Sequence, residues 1–229
     1  IETNKKNIKN IKNNITWDKI ESTNGDIKLN EKFINYLMNS MKLNTPTPIQ
    51  EVSIPAILNY DKDILIQSET GSGKTLAYLI PVINDFISSK INRNDGCKCL
   101  IIGPTRELCL QINNVLSVLL QKYHFIIYGI LIGGENRAKE KQRLRKGLTI
   151  VVGTPGRILD HLENTKSFKY NQLKYFIMDE SDRLLDLGFF KFMKSIINII
   201  NNNGTGLDRL NILVSATLNN SESMNKLIK

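Results

Sequence analysis

Short apolar runs and longer amphipathic stretches alternate along most of the chain. Residues 63–67 (DILIQ), 99–103 (CLIIG), 125–132 (FIIYGILI), 149–153 (TIVVG), 175–180 (YFIMDE) and 211–216 (NILVSA) read as buried strands. Between them lie helical stretches such as RELCLQINNVLSVLLQK at 106–122. Strand, helix, strand in this order predicts a parallel sheet with helices on both faces, joined by right-handed crossovers, in a three-layer α/β/α arrangement. Ligands of such sheets sit at the carboxyl ends of the strands. The chemically loaded segments of this chain fall just after the strand runs.

Ahead of the first strand, Phe33, Ile34, Leu37, Met38 and Met41 recur at helical spacing. TPTPIQ (45–50) then breaks the chain twice with proline and predicts a helix start near Pro48. Residues 1–28 read as a polar extension, with IETNKKNIKNIKNN (1–14) as a low-complexity, disordered tail. Residues 29–229 form the domain, with Ser88–Gly96 and Asn201–Asp208 as insertions. The chain opens on Ile1, not Met, and reads as a piece of a longer protein.

A length of 229 residues suits one substantial core. The 31 Lys and Arg against 22 Asp and Glu leave +9, which fits a polyanionic partner, nucleic acid before membrane. Cys97, Cys99 and Cys109 form neither an even disulfide set nor a zinc spacing, so a reducing compartment fits. No apolar run reaches membrane-spanning length.

The most specific chemistry lies at SETGSGKT, residues 68–75. A strand leads into it and a helix follows, the context a phosphate-binding loop needs. Thr70, Gly71, Ser72 and Gly73 would bring backbone N–H groups to an anion, with the positive helix end behind them. Lys74 would reach the β and γ phosphates of ATP or ADP, and Thr75 would ligate Mg²⁺. At the end of YFIMDE, Asp179 would hold Mg²⁺ and Glu180 would position or deprotonate an attacking water. Taken alone, two carboxylates there are as often a solvated strand exit; the upstream loop favours function.

TPIQ (47–50), PTREL (104–108), TPGR (154–157), DESD (179–182) and SAT (215–217) occur in an order that resembles the first RecA-like domain of DEAD-box ATP-dependent RNA helicases. The resemblance runs from about Phe33 to the chain end. It implies that Gln50 reads the adenine edge and that Phe33 stacks on adenine, the alternative for Phe33 being a core helix residue. It implies that Thr105, Arg106, Gly133, Gly134, Thr154, Gly156 and Arg157 grip an RNA sugar-phosphate backbone without reading bases. It makes Asp182, Ser215 and Thr217 the link between hydrolysis and domain closure. Departures are Ser68 for the usual alanine, Lys42 and Leu43 for a glycine and an aromatic, and Ser181 for the alanine of the DEAD motif.

The implied partners are RNA and a second RecA-like domain of the same chain, which would complete the active site; without it, turnover should be close to background. The implied state is a monomer with no membrane association. ENRAKEKQRLRKG (135–147) reads as a basic helix, with Glu135 and Lys139 one turn apart and either RNA or protein as its partner. Together with DRLLDLGF (182–189) it is similar to the family branch that works in the nucleolus on large ribosomal subunit assembly. That implies pre-ribosomal particles and a nucleolar location, and otherwise the cytoplasm. Two other readings stay open: an ATP-gated RNA clamp or scaffold, and a small-molecule P-loop kinase or other P-loop ATPase, which leaves PTREL, TPGR and SAT unexplained. His124 and His161 read as structural or surface residues, and Trp17 as a dock for the tail or a partner contact.

Overall fold

The computed structural model describes residues 15–60, 62–89, 91–202 and 209–217. Six strands form one sheet: β1 (Ile64–Gln67), β2 (Cys99–Ile102), β3 (Tyr128–Leu131), β4 (Ile150–Gly153), β5 (Tyr175–Met178) and β6 (Leu210–Ser215). All pair in parallel, in the order β1-β6-β5-β2-β4-β3. Among the described residues eight α-helices accompany them: α1 (Glu31–Asn39), α2 (Pro48–Asn59), α3 (Lys74–Ser88), α4 (Arg106–Leu119), α5 (Arg137–Lys146), α6 (Pro155–Asn164), α7 (Ser181–Asp186) and α8 (Phe190–Ile200).

The uninterrupted apolar runs follow from burial on both faces of the sheet. On β2, Cys99 and Ile101 join the core beneath α1 to α4, while Leu100 and Ile102 join the core beneath α6 to α8. On β5, Tyr175 and Ile177 face the first core, and Phe176 and Met178 the second. Each such aliphatic or aromatic side chain contributes about 1.5–3 kcal/mol by leaving water, so neither face can be polar. The structure shortens the 125–132 run to Tyr128–Leu131; Phe125 lies before the strand and is exposed.

Local signals set the helix starts. Asn30 caps α1 by accepting from Lys32 N and Phe33 N, and Asn136 caps α5 the same way through Ala138 N and Lys139 N. Thr47 and Gln50 form a capping box on α2, with Pro48 at the first helical position. Packing begins before Leu29: Trp17 and Ile20 are buried, and Trp17 Nε1 donates to Leu43 O at 2.7 Å. Trp17 thus docks the segment ahead of α1 onto the domain. Residues 1–14 and most of the 201–208 insertion lie outside the described residues. Lys42, where the family pattern has glycine, holds a left-handed backbone at φ 58°.

The strand order has a functional consequence. The loops after β1, β5 and β6 gather on one half of the carboxyl edge, and those after β2, β4 and β3 on the other. The candidate nucleotide residues belong to the first half and the candidate nucleic-acid residues to the second.

Candidate functional site

Between β1 and α3 the chain turns through Gly71 and Gly73, at φ 79° and 95°. A side chain at Gly73 would be strained by its φ, and its Cβ would lie 2.6 Å from Gln50 Nε2, forcing that amide to shift. The Gln50 amide is locked between two partners. Its oxygen accepts from Thr47 N at 2.9 Å, and its nitrogen donates to Gly73 O at 3.1 Å. Thr47 Oγ1 adds a bond to Ser72 O at 2.9 Å. Lys74 turns onto its own loop, with Nζ donating to Ser68 O and to Glu69 O. An entering phosphate would replace those carbonyls as the ammonium's partner.

Facing this loop is the turn after β5. Thr70, Gly71, Gly73, Lys74, Thr75, Asp179, Glu180, Asp182 and Thr217 are among the residues lining one cleft of about 750 Å³. Asp179 is 3% exposed. Burial pushes its carboxyl up; hydrogen bonds from the Tyr78 phenol and from Glu180 N partly offset that. Glu180 holds a left-handed backbone at φ 48°, a strained conformation for a non-glycine residue. Its Oε2 pairs with Arg183 Nη1 at 2.9 Å. Ser181 is buried and donates its hydroxyl to Val214 O at 3.1 Å, so the departure from alanine is fully accommodated.

Asp182 ties this turn to the end of β6. Its Oδ2 accepts from Ala216 N, Thr217 N and Thr217 Oγ1, while Oδ1 accepts from Arg183 N. Ser215 Oγ in turn donates to Thr217 O. Hydroxyl and carboxylate oxygens suit a hard divalent cation. Thr75 and Asp179 can supply two oxygens for Mg²⁺, which usually takes one or two protein oxygens and completes its shell with phosphate and water. No larger cluster of His, Cys, Asp or Glu able to hold a metal occurs among the described residues.

On the other half of the edge, Thr105 Oγ1 caps α4 by accepting from Leu108 N, and the exposed Arg106 lies against Gly134. A Cβ on Gly134, at φ 86°, would come within 2.8 Å of Arg106 Nη1. Thr154 and Gly156 open α6 beside this loop. Arg157 is committed internally: Nη2 donates to Glu135 O at 2.9 Å and pairs with Glu140 Oε2 at 2.7 Å. In this state it braces the Gly133–Gly134 loop from behind.

Phe33 corrects an expectation. It is 0% exposed and packs edge-on to Tyr123, with ring centroids 5.6 Å apart. A ring enclosed on all sides offers no face for a base, so Phe33 is the core helix residue of the two readings. A second correction concerns α5. Glu135 pairs with Arg143, two turns on, and not with Lys139. The polar helix also buries Glu140 completely, where it accepts from Ile132 N at 3.2 Å, pairs with Arg157 and contacts His161 Nε2 at 3.0 Å. The signal was Glu140 standing one turn before Leu144, the other buried residue of that helix. Tyr78 was also missed; it shares a helix face with Lys74, four residues before it.

A phosphate-type loop facing a carboxylate turn at the carboxyl edge of an all-parallel sheet places the chain among the RecA-like P-loop domains. It belongs to the DEAD/DEAH box helicase family, whose model matches residues 47–225. It is 47% identical to the ATP-dependent DNA helicase DDX31 of Dictyostelium discoideum over 99% of this chain and 25% of that protein. It is 41% identical to the ATP-dependent RNA helicase DBP7 of Scheffersomyces stipitis over 90% of this chain and 30% of that protein. Its fold superposes on the DEAD-box helicase Mss116 bound to ssRNA and UDP-BeF with a TM-score of 0.79 and 30% identity, covering 87% of this chain and 41% of that one. The chain thus spans about a quarter to a third of the curated relatives.

Proposed function

We propose that this chain is the ATP-binding domain of an RNA-dependent ATPase that remodels RNA or RNA–protein complexes. The observation that carries the proposal is the Asp182 junction. A carboxylate in the turn that bears Asp179 and Glu180 holds the Ala216–Thr217 backbone in place, so a change at the hydrolysis site is mechanically tied to the far end of β6. In this reading Lys74 leaves Ser68 and Glu69 for the β and γ phosphates, Gln50 contacts the adenine edge, and Glu180 orients the attacking water. Mg²⁺, held by Thr75 and Asp179, would supply charge neutralisation on the phosphates.

Within residues 1–229, Arg183 neutralises Glu180 and Lys74 is bonded to its own loop. Nucleotide binding with turnover near background follows for this chain by itself. A second RecA-like domain would bring the arginine that contributes on the order of 10³ to 10⁵ in rate. Thr105, Arg106, Gly133, Gly134, Thr154 and Gly156 would hold RNA backbone, with Arg157 shaping their cradle. The RNA helicase name of the DBP7 relative supports RNA as substrate, and the DDX31 relative carries a DNA helicase name; the nucleolar setting with its pre-ribosomal particles rests on the resemblance of residues 135–147 and 182–189 to that branch.

The test is ATP turnover by the longer parent protein with no nucleic acid, with single-stranded RNA and with DNA of the same sequence, at fixed moderate salt. Strong stimulation by RNA over DNA supports the proposal. Equal stimulation moves the substrate to nucleic acid in general, and ATP binding without stimulation moves the reading to a nucleotide-gated clamp. Brisk RNA-stimulated turnover by residues 1–229 alone would refute the need for a second domain.

A further inference from the structure

Two tyrosine–carboxylate pairs occupy opposite edges of the sheet, and their difference is informative. At the amino edge, Tyr175 OH donates to Asp85 Oδ2 at 2.9 Å, and Lys174 Nζ contacts both oxygens of the same carboxylate at 2.9 and 2.8 Å. Anion, phenol and cation form a closed set. At the carboxyl edge, Tyr78 OH donates to Asp179 Oδ2 at 2.8 Å, and Glu180 N donates to Oδ1 at 2.9 Å. Asp179 has no ion-pair partner among the described residues, although it is the more buried of the two carboxylates. Lys74, the nearest candidate, is bonded to Ser68 and Glu69. A buried carboxylate costs several kcal/mol unless a cation compensates it. This one lines the cleft shared with Thr75 and Lys74.

Tyr78 stands at the centre of that arrangement. It is 0% exposed, and burial pushes its phenol far above its ordinary value, so it is a permanent donor. It lies three residues after Thr75 on α3, and its phenol and the Thr75 side chain are close enough to interact. One hydroxyl therefore holds Asp179 across 101 residues of sequence from the same helix that carries Thr75, the other group placed to receive a divalent cation. Packing alone does not explain the hydroxyl. Phenylalanine fills the same volume without an oxygen to desolvate.

We propose that Tyr78 is a positioning residue of the nucleotide site, fixing the Asp179 carboxylate relative to Thr75 and thereby setting the divalent-cation requirement of nucleotide binding. This rests on the nucleotide-site reading above. The Tyr78 bond occupies one side of Oδ2 and the Glu180 amide one side of Oδ1. The carboxylate plane is held with its remaining lone pairs toward the cleft. Without the phenol, one bond is left to hold the carboxylate, and it is free to rotate away from Thr75. Partners that orient a metal ligand from behind are commonly worth tenfold or more in metal affinity.

The test is Tyr78→Phe in this chain, with a fluorescent ADP analogue titrated at zero and at increasing MgCl₂. The expected result is a rise on the order of tenfold in the Mg²⁺ concentration needed for half of the affinity gain, with Mg²⁺-free affinity unchanged. An unchanged Mg²⁺ midpoint overturns the inference, as does an equal loss of affinity with and without Mg²⁺, which would mark general damage to the loop. If the parent chain itself binds no nucleotide, the nucleotide-site reading falls first, and Tyr78 falls with it. If the parent chain binds in a Mg²⁺-dependent manner and Tyr78→Phe does the same at the same midpoint, only the positioning role is lost.

Discussion

Removing the Asp182 carboxylate has a cost that can be worked out bond by bond. It accepts from Arg183 N, Ala216 N and Thr217 N at 3.0 Å each and from Thr217 Oγ1 at 3.1 Å. A hydrogen bond to a charged acceptor is worth about 1.5–3 kcal/mol net, but four bonds sharing one carboxylate do not add. Asp182→Leu strands the Arg183 and Ala216 N–H groups, leaves Thr217 N only its bond to Ser215 Oγ, and should cost about 3–5 kcal/mol, the range for breaking a buried charged network. Asp182→Asn keeps one acceptor oxygen and should cost about 1–2 kcal/mol. At roughly 2–4 °C per kcal/mol for a domain of this size, the leucine variant melts about 6–20 °C lower at pH 7. The pH dependence gives an independent check. Burial works to raise the Asp182 carboxyl, but the hydrogen bonds it accepts, from Arg183 N, Thr217 N and the Thr217 hydroxyl among them, outweigh it and hold it below its ordinary 3.8. The folded value lies below the unfolded one, so this stability is present above about pH 4 and is lost as pH falls through the depressed folded value. Both variants should lose that part of the acid limb. Thermal melts from pH 7 to pH 3 measure it. A leucine variant melting within about 1 °C of the parent, with the same acid limb, would refute the reasoning.

Three further outcomes follow from single contacts. Lys42→Gly relieves a left-handed lysine at φ 58° and should raise stability by about 0.5–1 kcal/mol in urea denaturation. Cys97 and Cys109 are buried with thiols pushed up to about 12, so at pH 8 their thiolate fraction is on the order of 10⁻⁴; a thiol reagent such as DTNB should label the native chain only as fast as it unfolds. Glu140→Gln weakens the hold on Arg157 and on Ile132 N, so amide exchange at Gly133 and Gly134 should speed up several-fold while exchange at Gly71 and Gly73 stays as it was.

The sheet was legible because every strand but the edges is buried on both faces, which leaves an unbroken apolar run with no alternation to misread. The motifs other than TPIQ, which precedes β1, were legible because each follows a strand run. What sequence could not supply was direction. Phe33 has the residue type and spacing for stacking on adenine, yet its helix turns it into Tyr123. Glu140 sits in a helix with six Lys and Arg among ten residues, and only the packing of α5 shows that it points inward. Strand order was equally hidden. Alternation of strand and helix fixes a parallel sheet but not that β6 inserts between β1 and β5, which is what allows Asp182 to reach Thr217.

The groups placed to meet ligands are each satisfied from within. Lys74 bonds Ser68 and Glu69, Gln50 bonds Thr47 and Gly73, Glu180 pairs with Arg183, and Arg157 pairs with Glu140. A ligand gains only the difference between its own contacts and the internal ones it displaces, so isolated groups bind weakly and a ligand that replaces several at once binds well. In the proposed reading a nucleotide would offer phosphates to Lys74 and a base edge to Gln50 in one molecule, and Gln50 is already joined through Gly73 to the loop that carries Lys74. Asp179 is the exception, since among the described residues no cation pairs with it. On that reading the cleft would discriminate by composition: phosphate alone would have to open the loop, a divalent cation alone would meet few protein oxygens, and the two together would satisfy both sides of the cleft.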